Sequence, residues 1–537
     1  MEQKPAHGRK EADVNRKYYL FLLAVVVFAI TYSIVFIDGP SYFGDDVTYL
    51  SLAYNVLHGH FIENGYIFSV RLMQIMPIAL FYKLFGVNLI TDSAWDITSF
   101  IGIIMVSFFM AKELFNERAG AIAATLAAFF PLIVVYSSTI SEDVPLAFLT
   151  SLALLALLYG QKRNSEKWYM FCGILLVASF LVSPEAAVIW IIVIAYLIVE
   201  VLRKKIRIDK KLAHLAYGIA IALIVLMTFN YLNSQNPLVT FDVNLHFYSA
   251  VGGNDTIPST NTNLMFYPDV MFPYNLYSFL ATFVITHNLS LGNLVQYVYY
   301  ADQNTSTGFY FYAIVASLLY LLARLEKKSY FAIFFLVAGF LYLEFGPMHI
   351  SLSPFEYLPS YRLDRFLMII AVPALVVMGI AIAKFIEDNP FRSKYITGVA
   401  SVLMISFLIG TSVPINMNWH QVLVYERYDQ MAISNYLLGV SNYSAVYFPN
   451  SDPSISIYAR FVNAERFVAY SSFSNCSAFK NNSYVVLPIN PPAGKDNVSK
   501  CQYWQLVLSP SPQGNFTDST IYQGRYAIAR LYYLPAH

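Results

Sequence analysis

The chain has 537 residues, of which 57% are hydrophobic, 17% aromatic and only 12% charged. Soluble domains carry about 25% charged residues, so this composition requires a membrane. The formal net charge of +1 at pH 7 excludes the strongly basic surface that a nucleic-acid partner demands. Cys172, Cys476 and Cys501 are too few for a disulfide framework or a zinc cluster. Cys172 stands in an apolar run, while Cys476 and Cys501 share one polar region where a single disulfide fits.

The first apolar run, 18–37, is about 20 residues long, enough to span a bilayer. It exceeds a signal-peptide core and no small-residue cleavage site follows, so it reads as a retained span. Just beyond it stands Gly44-Asp45-Asp46. Two adjacent carboxylates at a membrane face repel each other and are costly to desolvate, and such pairs persist where they do chemistry or hold a cation. Tyr49, a short helical stretch ending in Leu57-His58-Gly59, and Arg71 follow. Pro77-Ile78-Ala79-Leu80-Phe81-Tyr82-Lys83-Leu84-Phe85-Gly86 reads as an amphipathic helix lying along the membrane. Ten further spans are predicted at 94–111, 119–138, 145–160, 168–183, 186–202, 212–232, 309–323, 329–345, 366–385 and 395–413, about eleven in all. Ala119-Gly120-Ala121-Ile122-Ala123-Ala124 leads through Pro131 to Tyr136-Ser137, and Ile140-Ser141-Glu142-Asp143-Val144-Pro145-Leu146 follows. Ser183-Pro184-Glu185 separates the fifth and sixth spans, and Arg362 and Arg365-Phe366 precede Pro373 in the tenth.

Basic residues orient these spans. A cytoplasmic N-terminus places Lys4, Arg9, Lys10, Arg16 and Lys17 inside, and Arg203, Lys204, Lys205, Arg207, Lys210 and Lys211 in a later inside loop. N-glycosylation triplets begin at Asn254, Asn288, Asn304, Asn442, Asn475, Asn481, Asn497 and Asn515, all in the loop 233–308 or after 414, and both regions are external in this topology. The expected chain is therefore a cytoplasmic tail (1–17), a membrane domain (18–413) with external loops 38–93 and 233–308, and an external domain (414–537). The last opens with a helix near 428–438, followed by strands at 445–448, 484–488, 505–508 and 526–533 between Asn, Ser, Pro and Gly clusters. The fold class is an all-α polytopic membrane domain with a small external α/β or β-rich domain.

The acidic first loop, the interfacial helix and the Ile140–Leu146 run resemble the GT-C membrane glycosyltransferases, in particular the protein O-mannosyltransferase and lipid A aminoarabinose transferase branch. The resemblance covers about 1–200 well and 345–385 loosely. The Trp-Trp-Asp motif of oligosaccharyltransferases is absent, since no two tryptophans are adjacent. The resemblance implies an inverting hexosyltransferase that takes a sugar, mannose or another hexose, from a polyprenyl- or dolichyl-phosphate donor. The acceptor would be an external protein, glycan or envelope lipid.

Such transfer needs a base for the acceptor proton and positive groups for the departing phosphate. Asp45 matches the family's catalytic acid position and is the candidate base. Asp46 would orient it, share a proton or help bind a cation. The plain alternative for both is capping of the helix that follows. Asp143 is the candidate second carboxylate, with Glu142 its alternative; both also suit the N-terminus of the fourth span. Arg71, Arg365 and Arg362 are candidate phosphate ligands, although arginine at a membrane edge also anchors to headgroups. His58, His60 and His349 show no metal-ligand spacing, and dependence on a divalent cation stays open because GT-C branches differ in it. Two other functions remain. A transporter or flippase of lipid-linked sugars would carry ionisable groups within its spans, and a catalytically silent scaffold would not need the acid pair.

Overall fold

The structure, a computed structural model, describes residues 6–37, 45–61, 67–203, 210–253, 309–352, 355–359, 364–440, 444–448, 467–469, 482–488 and 529–534. Fifteen helices and six strands lie among these residues. They begin with α1 (Ala6–Val35), α2 (Asp45–Leu57), α3 (Leu72–Phe85), α4 (Leu89–Leu114), α5 (Glu117–Phe129), α6 (Pro131–Ser138) and α7 (Asp143–Arg163). Next come α8 (Glu166–Phe180), α9 (Ala187–Leu202), α10 (Lys210–Ser234) and α11 (Val239–Gly253). After the undescribed 254–308 follow α12 (Tyr310–Ala323), α13 (Tyr330–Phe345), α14 (Met368–Asp388) and α15 (Lys394–Gly439).

Among the described residues eight helices are long and apolar enough to cross a membrane, nine if the bent pair α5 and α6 counts as one span. Pro131 explains the 53° bend: it offers no N–H to the helix before it and starts the next one at its first turn. The two remaining predicted spans coincide with α8, of 15 residues, and α12, of 14. At about 1.5 Å per residue neither reaches the roughly 30 Å of a hydrocarbon core by helix alone. All eleven predicted segments are thus helical.

The core of the bundle is α14, buried from Met368 to Ala383 against α4, α5 and α7. Gly379 lets it approach α5, since a Cβ there would stand 2.7 Å from the Ala119 carbonyl oxygen. A closer backbone approach joins α8 and α10, where added Cβ atoms would lie 2.3 Å from Leu215 O at Gly173 and 2.0 Å from Met170 O at Gly218. In lipid, small residues of this kind permit the tight packing that hydrophobicity cannot supply between helices.

The interfacial helix starts earlier than expected, at Leu72, and runs through Pro77. Ile75, Ile78, Ala79 and Tyr82 pack with Tyr49, Leu50 and Ala53 of α2, while Met73, Leu80, Leu84 and Phe85 stay exposed. One apolar face thus builds a small core on α2 and the other stays exposed. Gly86, at φ 76°, ends α3 in a conformation glycine adopts freely. Asn88 then caps α4, its side chain accepting from Ile90 N (3.0 Å) and Thr91 N (3.1 Å) while its own N–H donates to Thr91 Oγ1 (2.9 Å).

Between α13 and α14 a hairpin pairs β1 (Pro347–Leu352) with β2 (Phe355–Pro359) antiparallel. The chain ends in a four-stranded sheet of β3 (Ala445–Phe448), β4 (Phe467–Ala469), β5 (Ser483–Pro488) and β6 (Ala529–Leu534), in the order β4-β3-β5-β6. β3 runs parallel to β4 and β5, and β6 antiparallel to β5 with Tyr484 opposite Tyr533. The expected strands at 445–448, 484–488 and 526–533 correspond to β3, β5 and β6. The expected strand at 505–508, Cys476, Cys501 and the asparagines that begin all eight glycosylation triplets lie outside the described residues. The expected helix at 428–438 is not separate: it is the end of the 46-residue α15, continuous with the last span.

Candidate active site

Three stretches meet at one end of the bundle, where α7 and α14 begin. The first is α2 with the turn Ile67–Val70 that leads to Arg71. The second is the turn Ile140–Glu142 that opens α7, and the third is the 3-10 turn Asp364–Leu367 that opens α14. Arg71 precedes α3, is 7% exposed, and donates from one Nη1 to Glu142 Oε1 at 2.8 Å and to the hydroxyl of Tyr49. Its guanidinium carbon also lies 5.1 Å from the Phe68 ring centre and 5.9 Å from that of Tyr49, where ring faces favour a cation. Arg365 approaches the same acids from the other side, Nη2 at 3.9 Å from Glu142 Oε1 and Nη1 at 3.4 Å from Asp143 Oδ2. Its side chain is 26% exposed, whereas those of Glu142 and Asp143 are 7% and 3%. Burial opposes ionisation of Glu142, but Arg71 and Arg365 outweigh it and hold its carboxyl below the usual range.

The turn before α7 is built by Ser141. Its Oγ donates to Asp143 Oδ2 (2.7 Å) and accepts from Asp143 N (3.1 Å), fixing the carboxylate at the helix start. Its own N–H donates to Oδ1 of Asp96, at 3.1 Å, a residue on α4 that is wholly buried. Beside this, the Tyr82 hydroxyl donates to Asp92 Oδ1 at 2.6 Å and ties α3 to α4. Burial first, and the neighbouring Asp92 second, push that phenol well above its ordinary pKa.

Of the seven candidates from the sequence, Arg71, Glu142, Asp143 and Arg365 come together here. Asp46 is buried on α2, 3% exposed. Asp45 is the first residue of α2 and stands one helical turn before Tyr49, which reaches Arg71; its side chain lies outside the described residues, as does the whole of Arg362. His58 Nδ1 is bonded to the Tyr54 carbonyl at 2.9 Å. Glu185 accepts from the Ser183 hydroxyl. Among the described residues no three His, Cys, Asp or Glu side chains assemble as metal ligands. Glu142 and Asp143 are instead met by arginine.

Asp96 and the linking role of Ser141 did not emerge from the sequence. The signal was present: Asp96 is an ionisable residue inside the apolar run of a predicted span, and such residues mark functional positions by default. One turn into α14 from Arg365 begins an apolar cavity of about 380 Å³, lined by Phe130, Ile314, Leu336, Phe340, Leu367 and Ile370 among others.

Residues 72–231 match the family model described as dolichyl-phosphate-mannose-protein mannosyltransferase. No curated protein matches the chain. Among solved structures, ArnT from Cupriavidus metallidurans bound to undecaprenyl phosphate aligns at TM-score 0.57 and 14% identity, covering 95% of this chain and 97% of that one. Its apo form aligns at 0.53 with the same identity and coverage. The oligosaccharyltransferase of Archaeoglobus fulgidus, in complex with zinc and sulfate, aligns at 0.51 and 17% identity, covering 86% of this chain and 68% of that one.

Proposed function

We propose that this multi-pass membrane protein of GT-C glycosyltransferase fold moves a sugar from a polyprenyl-phosphate carrier to an acceptor outside the membrane. The observation that carries the reading is the Arg71–Glu142–Arg365–Asp143 cluster at one end of the bundle, with an apolar cavity starting one turn from Arg365. A polyprenyl phosphate has an anionic head and a long apolar tail, and those two features offer each a complement. ArnT binds undecaprenyl phosphate, which has this chemistry, and the matched family model is that of dolichyl-phosphate-mannose-protein mannosyltransferases. A mannose donor is the first to try.

In the reaction, the acceptor oxygen bonds to the anomeric carbon from the side opposite the phosphate and loses its proton to the Asp45 carboxylate. The bond between anomeric carbon and phosphate oxygen breaks, its electron pair leaves with the phosphate, and the configuration inverts. The growing phosphate charge falls to Arg365, the more exposed of the two arginines in the cluster, which stabilises the transition state more than the ground state. Arg71 spends donors on Tyr49 and Glu142, so it ties the first external loop to the second and keeps Glu142 ionised beside Arg365. Asp143 holds Arg365 from the other side, and Asp46 orients Asp45. The acceptor is a protein, a glycan or an envelope lipid.

Purified protein in vesicles, given labelled polyprenyl-phosphate sugars and extracted envelope acceptors, is expected to place the label on an acceptor. In the same assay Arg365→Ala should depress turnover more than donor binding, with Arg365→Lys rescuing in part because lysine keeps the charge but lacks the planar fork. A carrier that keeps its sugar while changing leaflet would make the protein a transporter instead.

A further inference from the structure

Asp96 is the one acid of the cluster that comes from within a membrane helix. It sits in the second turn of α4, is wholly enclosed, and offers Oδ1 to the Ser141 N–H at 3.1 Å. Its Oδ2 is buried with no hydrogen-bond partner among the described residues. A carboxyl in such a place is expensive to keep, and nothing about α4 as a span requires it. What it touches is informative. Ser141 is the residue whose hydroxyl grips Asp143 Oδ2 at 2.7 Å, and that same oxygen faces Arg365 Nη1 at 3.4 Å. A single file of contacts therefore runs from the bundle interior, Asp96 to Ser141 to Asp143 to Arg365, and ends on the group assigned to the leaving phosphate.

We propose that Asp96 is a positioning residue of this site: by holding the Ser141 backbone it fixes where the Asp143 carboxylate stands and, through it, the guanidinium of Arg365. The proposal rests on the glycosyltransferase reading for its catalytic consequence, but the anchoring itself does not. The alternative source for this bond is weak. The turn 140–142 has no other described anchor to α4 of this kind, and the Ser141 N–H, next to the N-terminus of α7, would lose its partner without Asp96. Displacement of a positioned group by about 1 Å costs on the order of 100-fold in rate, so loss of the anchor should be read mainly in turnover.

Two measurements test this on the full-length protein in vesicles. The first is hydrogen exchange of the peptide containing Ser141–Asp143, which needs no activity. Asp96→Ala should speed exchange there about tenfold or more, while Asp96→Asn, which keeps an oxygen acceptor, should stay near wild type. The second is transfer kinetics. Asp96→Ala should lower kcat about 10- to 100-fold with donor KM moving less than about threefold, and Asp96→Asn should recover most of the loss. Ser141→Ala should resemble Asp96→Ala in kcat, and because the two act in series the double variant should be little worse than either single one.

Unchanged exchange in a folded Asp96→Ala protein would overturn the anchor. Equal damage by Asn and Ala would show that charge, not the acceptor oxygen, is what matters, and would overturn it too. Additive losses in the double variant would break the series. If the wild type transfers no sugar, the enzyme reading fails, while the exchange result still decides whether Asp96 holds the turn.

Discussion

Glu142 is enclosed between two guanidinium groups, and that is a liability as well as a device. Removing one partner of a buried ion pair leaves the other uncompensated and typically costs about 3–5 kcal/mol. Glu142→Gln should therefore lower thermal stability in detergent well beyond a surface substitution, and Arg71→Ala should do the same. The pH dependence has a definite sign. Because the arginines hold the folded carboxyl below its ordinary value, its contribution is fully present above the unfolded glutamate pKa of about 4.3 and is lost as pH falls through the folded one. A melting-temperature profile should thus fall on the acid side in the wild type, with that limb flattened in Glu142→Gln. An unchanged limb would remove Glu142 from the account. Separately, Asp45→Asn should cut transfer about 100- to 10,000-fold in a folded protein, as for loss of a general base. Near-normal turnover would shift that role to Asp46 or Asp143. At this scale Arg71, Glu142, Asp143 and Arg365 were legible because each borders a helix start in a short polar motif. Asp96 was not, because an apolar window of a span absorbs a single acid without changing the reading.

Among the helices, the crossing of α8 and α10 depends on two absent side chains. Gly173 and Gly218 face backbone rather than flexible side chains, so a larger residue cannot be accommodated by a rotamer change. Gly218→Val should cost about 1–3 kcal/mol through overpacking. Gly398→Ala on α15, where an added Cβ meets nothing within 4 Å, should be neutral or stabilising by up to about 1 kcal/mol. Comparing melting temperatures of the two variants checks this, and equal shifts would discount the close approach. The pattern of apolar runs located these helices but not their ends. α3 starts five residues before Pro77 and gives up one intrahelical hydrogen bond there, while Ile75, Ile78, Ala79 and Tyr82 pack on α2 on both sides of it. The polar stretch after residue 413 reads as a loop by hydropathy, yet α15 continues through it, since hydropathy reports the surroundings of a helix rather than its continuity.

For the molecule as a whole, orientation rests on the basic inside loops and the glycosylation triplets. A reporter fused after Lys205 should be cytoplasmic and one at the C-terminus external. Finding both on one side would overturn the topology and with it the external placement of the acidic loops. Strand pattern at 445–448 and 484–488 foretold β3 and β5, but strand order was beyond the sequence, since pairing of β3 between β4 and β5 is set by contacts distant along the chain.

The length of α15 has a mechanical side. Its 46 residues rise about 69 Å along the helix, from the start of the last span to five residues before β3. The sheet is touched by that helix near its tip, where Tyr436 meets the Tyr484 ring at 5.9 Å. A rod transmits rotation: each residue inserted between 413 and 430 would turn everything beyond it by about 100° and carry it about 1.5 Å outward. Seven inserted residues would restore nearly the original bearing at about 10 Å greater height, whereas two would turn the sheet about 200°, to the opposite side. The heading of the terminal sheet is therefore written as a phase angle, set by the count of residues between the last span and β3.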